Sequence, residues 1–246
     1  MFGQKSKWTL IAALLALLLA STATCGCLNI KLPFQSPSPS AQPSMVGSTH
    51  ILNLYVQELA SPSGGELITG GSVSNVVVTV EPGNGNVLVT TSPRIGYDWS
   101  AAAKVAVAVA AKKANVDPNS YNFLFTITNA HEMSTLDGPS AGAAMTIATY
   151  SALTKKPTNS SVYETGTINP DGTIGQIGGV YFKAVAAAKD GAKVLLVPPT
   201  QSYGDKDPYQ NGLGGVNLQN ELRQSGFDVR VVEVHNIDEA LPYYFS

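Results

Sequence analysis

Asp137-Gly138-Pro139-Ser140-Ala141-Gly142 runs directly into Ala143-Ala144-Met145-Thr146-Ile147-Ala148. A polar loop gives way to a stretch that is apolar almost all round. That pattern predicts a buried helix from about Ser140 to Leu153, with Ser140 at its first position. Gly138 and Gly142 keep side chains away from the hydroxyl, and Pro139 fixes the approach of the loop. Backbone N–H groups at a helix start lack internal partners and favour negative charge beside them. Ser140 is therefore either an N-cap or an open hydroxyl whose attack on a carbonyl would create an anion facing ready donors.

Lys183, 43 positions downstream, bears on that choice. It lies on a predicted helix from Gly179 to about Asp190, with Val180, Ala186 and Ala187 at neighbouring surface positions. Lysine among apolar neighbours loses its proton readily. A catalytic lysine must fall from about 10.4 to roughly 7–8. A serine paired with a neutral lysine supplies both nucleophile and base.

The remaining pattern frames these two residues. Strands are predicted at 49–57, 73–80, 87–91, 121–128, 162–168, 193–197 and 228–234. The turn Glu81–Asn86 is expected to fold 87–91 back on 73–80 as a hairpin. Asp98 is expected to cap a helix from Trp99 to Asn115. A polar stretch fills 129–139, a turn Asn169–Gly172, and a Gly-rich loop 200–215. A helix covers 216–225, and a short one starts near Asp238. Strands at the front and alternation behind predict one α+β domain over residues 47–246, with small mixed sheets packed against helices.

Lys5 and Lys7 precede an apolar run from Leu10 to Ala20. Residues 1–28 therefore read as a signal peptide or a membrane anchor, which would put the body outside the cytoplasm. Cys25 and Cys27 leave cleavage, lipid attachment and retention all open. Residues 29–46 are a Pro/Ser-rich linker.

The formal net charge of −2 and the lack of a Lys/Arg run give no basis for a nucleic-acid partner. Both cysteines precede residue 30, and His50, His131 and His235 do not fall at metal-ligand spacing. Neither a metal nor a cofactor is expected.

The run Asp137–Gly142 resembles the active-site signature of the Lon protease proteolytic domain. The likeness continues through Thr165-Gly166-Thr167-Ile168, Asp171-Gly172, Gly178-Gly179-Val180-Tyr181-Phe182-Lys183 and Val194-Leu195-Leu196-Val197-Pro198. It spans roughly residues 48 to 245. The resemblance implies that Ser140 attacks the peptide carbonyl and Lys183 takes its proton. It implies that Thr165 orients the lysine, and that Asp137, with Gly138 and Pro139, shapes the site. Two positions depart from the family pattern: Thr128 stands where the family often has histidine, and Thr167 where it has an acidic residue.

The family's usual ATPase partner would need a G-x-x-x-x-G-K-[ST] loop, and this sequence has none. The expectation is an exported or membrane-anchored, ATP-independent serine endopeptidase acting on unfolded or exposed protein segments. By resemblance it would form a homo-oligomeric ring. Three other readings compete. Gly138-x-Ser140-x-Gly142 fits the elbow of an α/β-hydrolase-type esterase, with His235 as base and Asp190, Asp205 or Asp228 between. The same helix start could cradle a phosphate. An inactive Lon-like scaffold could bind peptides at a strand edge. His131 and Glu132, in the loop before the serine, are further residues that could touch substrate.

Overall fold

The computed structural model describes residues 44–59, 66–130, 135–175, 177–199 and 218–245. The N-terminal segment with Cys25 and Cys27, most of the linker, His131, Glu132, and the loop 200–215 lie outside the described residues. The chain divides into Met1–Ala41 and Gln42–Ser246, and the described residues belong to the second unit. Among the described residues no helix is long and apolar enough to cross a membrane.

Strands β1 (Met45–Leu59) and β2 (Glu66–Pro82) form a long antiparallel pair, with Met45 opposite Val80. The β-branched run in β2 alternates: Val76, Val78 and Val80 are buried, while Val77 and Thr79 are half-buried. The short strand β3 (Val87–Val89) does not close a hairpin on β2. It runs parallel to β5 (Tyr121–Thr128) on that strand's far side, giving the order β1-β2-β5-β3. Asn122 is the reason. Its Oδ1 accepts from the amides of Asn84 and Asn86, each at 3.1 Å, and the Phe123 amide donates to the Asn86 carbonyl at 2.8 Å. The turn therefore wraps the end of β5.

Phe123, Phe125 and Ile127 point from β5 into the core. There they meet α1 (Tyr97–Ala114) and α2 (Gly142–Thr154). Helix α2 carries buried residues on every side, as its composition predicts. Between β3 and α1, β4 (Arg94–Ile95) runs parallel to β6 (Thr135–Leu136), the strand that leads into the serine loop.

The second half builds a parallel sheet in the order β11-β10-β7, from β7 (Val162–Glu164), β10 (Val194–Val197) and β11 (Arg230–Glu233). The predicted strand 162–168 is split. After Glu164 the backbone leaves β7, and Thr167–Ile168 becomes β8, paired with β9 (Ile174–Gly175). The Thr165 amide still donates to the Leu196 carbonyl at 3.2 Å, whereas Gly166 turns toward the serine loop. Helices α3 (Val180–Lys189) and α4 (Leu218–Gln224) pack on this sheet in a second core of Leu52, Val180, Ala184, Leu195 and Leu222. Helix α5 (Ile237–Tyr244), capped by Asn236 on the Glu239 amide, returns to the first core.

Strand β1 serves both cores, with Ile51 in one and Leu52 in the other. Two glycines let this region lie directly on helix backbone. A Cβ on Gly47 would stand 2.2 Å from the Ala148 carbonyl oxygen, and one on Gly71 would stand 2.1 Å from that of Phe182. Gly71→Ala must therefore push β2 away from α3. It is expected to lower stability by about 1–3 kcal/mol in urea unfolding, while Gly178→Ala, into open space, should leave the midpoint nearly unchanged.

Candidate active site

Ser140 lies in a 3₁₀ turn, Pro139–Ala141, just ahead of α2 rather than at the helix's first position. Ala141 occupies the N-cap of α2, so the serine hydroxyl is not used as a cap. Gly138 has φ +93°, a backbone conformation that side chains disfavour.

Three contacts hold this loop. The first is Asp137. Its Oδ1 accepts from the amides of Gly138 at 2.8 Å, Asp98 at 3.1 Å and Trp99 at 3.3 Å. Asp137 thus caps α1, whereas Asp98, the predicted cap, sits in the first turn of that helix. A cap supplied from 39 residues away leaves no local signal. Gly96 makes room for it, since a Cβ there would fall 2.0 Å from the Asp137 Cγ.

The second is the bend after β7. The Gly166 amide donates to the Ser140 carbonyl at 2.9 Å, and the Ala143 amide donates to the Gly166 carbonyl at 3.0 Å. The Thr165 hydroxyl lies 3.4 Å from the same Ser140 carbonyl.

The third is Lys183. Gly179, in the left-handed region with φ +64°, starts α3, and the Lys183 amide closes its first turn on the Gly179 carbonyl at 3.0 Å. The lysine Nζ donates to the Ser140 Oγ at 2.7 Å and lies 3.4 Å from the Thr165 Oγ1. Lys183 is 2 % exposed, and burial pushes its pKa down to about 8. That value brings a lysine into the range where it works as a base.

A cleft of about 470 Å³ opens beside this pair. One wall is Leu52, Asn53 and Leu54 of β1, and the other is the run Thr135–Ala141. The β1 wall was not visible in the sequence, because its residues read only as an alternating strand. Among the described residues no group of three or more His, Cys, Asp and Glu side chains could hold a metal.

The helix-start donors anticipated for an anion are mostly committed. Gly138 donates to Asp137, Gly142 to the Pro139 carbonyl and Ala143 to Gly166. That leaves few donors there to cradle a phosphate. Nor is a serine–histidine pair assembled. His235 is exposed and sits 3.3 Å from Glu239, while the Asp190 carboxylate accepts the Tyr163 hydroxyl at 2.7 Å. Asp228 is exposed, and Asp205 lies outside the described residues. Thr128 is exposed at the end of β5, and Thr167 is half-buried opposite Gly175.

Known proteins resemble the chain over much of the described unit. The family model for the Lon protease (S16) C-terminal proteolytic domain matches residues 65–208, a narrower stretch than the 48–245 of the resemblance. Lon protease of Escherichia coli (strain K12) is 34 % identical over 131 residues, covering 52 % of this chain and 17 % of the relative. Lon protease of Roseiflexus castenholzii (strain DSM 13941 / HLO8) is 31 % identical over 178 residues, covering 71 % and 20 %. Lon protease of Mesomycoplasma hyopneumoniae (strain 232) is 32 % identical over 132 residues, covering 52 % and 15 %. The chain thus spans at most a fifth of the length of these three relatives.

A buried amine strains the fold whenever it is charged. The folded-state pKa of Lys183, about 8, lies below the ordinary 10.5, so the deficit is full below pH 8 and fades as pH rises toward 10.5. Lys183→Met is expected to stabilise the protein at pH 7 by about 3 kcal/mol, read as a raised melting temperature, with the gain shrinking above pH 8. Asp137→Ala is expected to cost about 1–2 kcal/mol through loss of the α1 cap, read in the same melts.

Proposed function

The chain belongs to the Lon protease (S16) C-terminal proteolytic domain family, and on that footing we propose that it is an ATP-independent serine endopeptidase, exported or membrane-anchored, that hydrolyses peptide bonds in unfolded or exposed protein segments. The observation that carries this reading is the 2.7 Å contact between the Lys183 Nζ and the Ser140 Oγ, made by an amine shielded from water.

In the proposed reaction the neutral Lys183 amine takes the Ser140 proton as the oxygen attacks the scissile carbonyl carbon. The Ser140 amide is the donor proposed for the anion of the tetrahedral intermediate. The Lys183 ammonium then protonates the leaving amine as the C–N bond breaks. Water, deprotonated by the same lysine, attacks the acyl-enzyme; the ester bond to Ser140 breaks, the lysine returns that proton to the serine oxygen, and the second product leaves as the acid. Thr165 holds the amine in line through its hydroxyl.

Strand β1 is at the edge of its sheet, and Leu52–Leu54 run along the cleft. An extended peptide laid there could pair its main chain with the strand and carry its carbonyl past Ser140. Only a segment free of its own secondary structure fits that mode. Lys5, Lys7 and the apolar run after them support export or anchoring. A homo-oligomeric ring rests on the family alone.

The full chain is expected to degrade casein without ATP, at a rate that rises as pH climbs from neutral toward about 8. Ser140→Ala and Lys183→Ala should each lower turnover by about 10³-fold or more, and added ATP should change nothing. An inactive wild type would favour the peptide-binding scaffold instead.

A further inference from the structure

Glu164 ends β7 one residue before Thr165. It is 1 % exposed, and neither carboxyl oxygen has a hydrogen-bond partner. A carboxyl in that state is rare, because its unmet polar atoms cost folding free energy. Two more orphaned hydroxyls belong to its neighbourhood, those of Tyr244 on α5 and Thr49 on β1. Burial first, and then the charge of Glu164, push the Tyr244 hydroxyl well above its ordinary pKa, while Thr49 beside it pulls the other way. The Tyr244 carbonyl also accepts from the Asn159 amide at 3.1 Å, which ties the end of α5 to the approach to β7.

Among the described residues the surroundings offer no countercharge. Strand β10 presents valine and leucine. Helix α2 presents apolar residues and hydroxyls, and its Tyr150 packs on Phe245. On β1, His50 stacks on Tyr163, which is Glu164's neighbour on the opposite face of β7. Of the titratable groups on α5, Tyr244 is the one whose hydroxyl the Glu164 charge helps to push up. Lys183 lies beyond Thr165.

Thr165 and Gly166 touch both members of the reactive pair: the hydroxyl meets the lysine amine, and the Gly166 amide holds the Ser140 carbonyl. Movement at the end of β7 therefore reaches Ser140 and Lys183 together. We propose that Glu164 is a positioning residue for the Ser140–Lys183 pair that serves only as the neutral acid, and that its ionisation sets an alkaline ceiling on the enzyme. Once charged, an unpartnered carboxylate in this packing draws water or shifts toward it. The end of β7 moves, and Thr165 and Gly166 lose their hold on the dyad. Burial raises the Glu164 pKa to about 8, and burial lowers that of Lys183 to about 8. The acid and the base then define a narrow window, which a second carboxyl-free variant would widen.

This inference rests on the peptidase reading above. Its test is the pH dependence of peptide hydrolysis by the full chain, for wild type, Glu164→Gln and Glu164→Met, beside their melting temperatures. Wild type is expected to rise and then fall across pH 8, the fall approaching about tenfold per pH unit well above the pKa. Both variants should keep the rise and lose the fall. In the melts, the folded-state pKa lies above the ordinary 4.5, so wild type loses stability relative to Glu164→Gln as pH climbs from 4.5 to 8, and the gap is constant above that. Alkaline limbs that are the same in wild type and both variants would overturn the proposal, even if the melts differ. No turnover by wild type at any pH would instead sink the peptidase reading itself.

Discussion

The site depends on keeping one amine dry while holding it against one hydroxyl. Water around the Lys183 Nζ would restore its ordinary pKa, and a solvated ammonium at neutral pH cannot take a proton from serine. The fold meets this condition at the seam of two cores. One core ends at Ala141 beside the serine, and the other at Val180 and Ala184 beside the lysine. Gly71 lets β2 close over α3 at the lysine's own backbone, and Gly179 lets the helix begin where Leu54 leaves room for no side chain. The cost of burying the amine is inherent to the chemistry, in keeping with the general tension between stability and activity at reactive centres.

Much of this frame was legible in local sequence. An apolar stretch with no polar face can only be an enclosed helix, so α2 was plain. Gly191 and the Asn169–Gly172 turn likewise ended elements as written. What local pattern could not carry were contacts chosen by distant residues. The pairing of β3 was decided by Asn122. The cap of α1 was decided by Asp137, and the break between β7 and β8 by the carbonyl of Ser140. Each is a polar contact between segments far apart in sequence, and periodicity says nothing of such contacts.

The site divides in the same way. A serine between glycines and a lysine among alanines each suggested chemistry, but spacing alone could not bring them to 2.7 Å. Their pairing, and the part of Thr165, came from the likeness to a family. Glu164 was passed over because a single acid inside the predicted strand 162–168 belongs to no motif or spacing that marks it. Tertiary packing buried it. The result is a threonine flanked by two buried titratable groups of opposite kind, each shifted by burial and not by the other.

The serine loop is held by Asp98 and Trp99 from behind it in the chain, and by Gly166 and Lys183 from ahead. No contiguous fragment shorter than the stretch from α1 to α3 contains all of these partners. During synthesis the hydroxyl emerges long before the amine does, and remains an ordinary alcohol until the domain closes around both. The nascent chain thereby carries no assembled pair, and the reactivity proposed for it arrives only with completed folding.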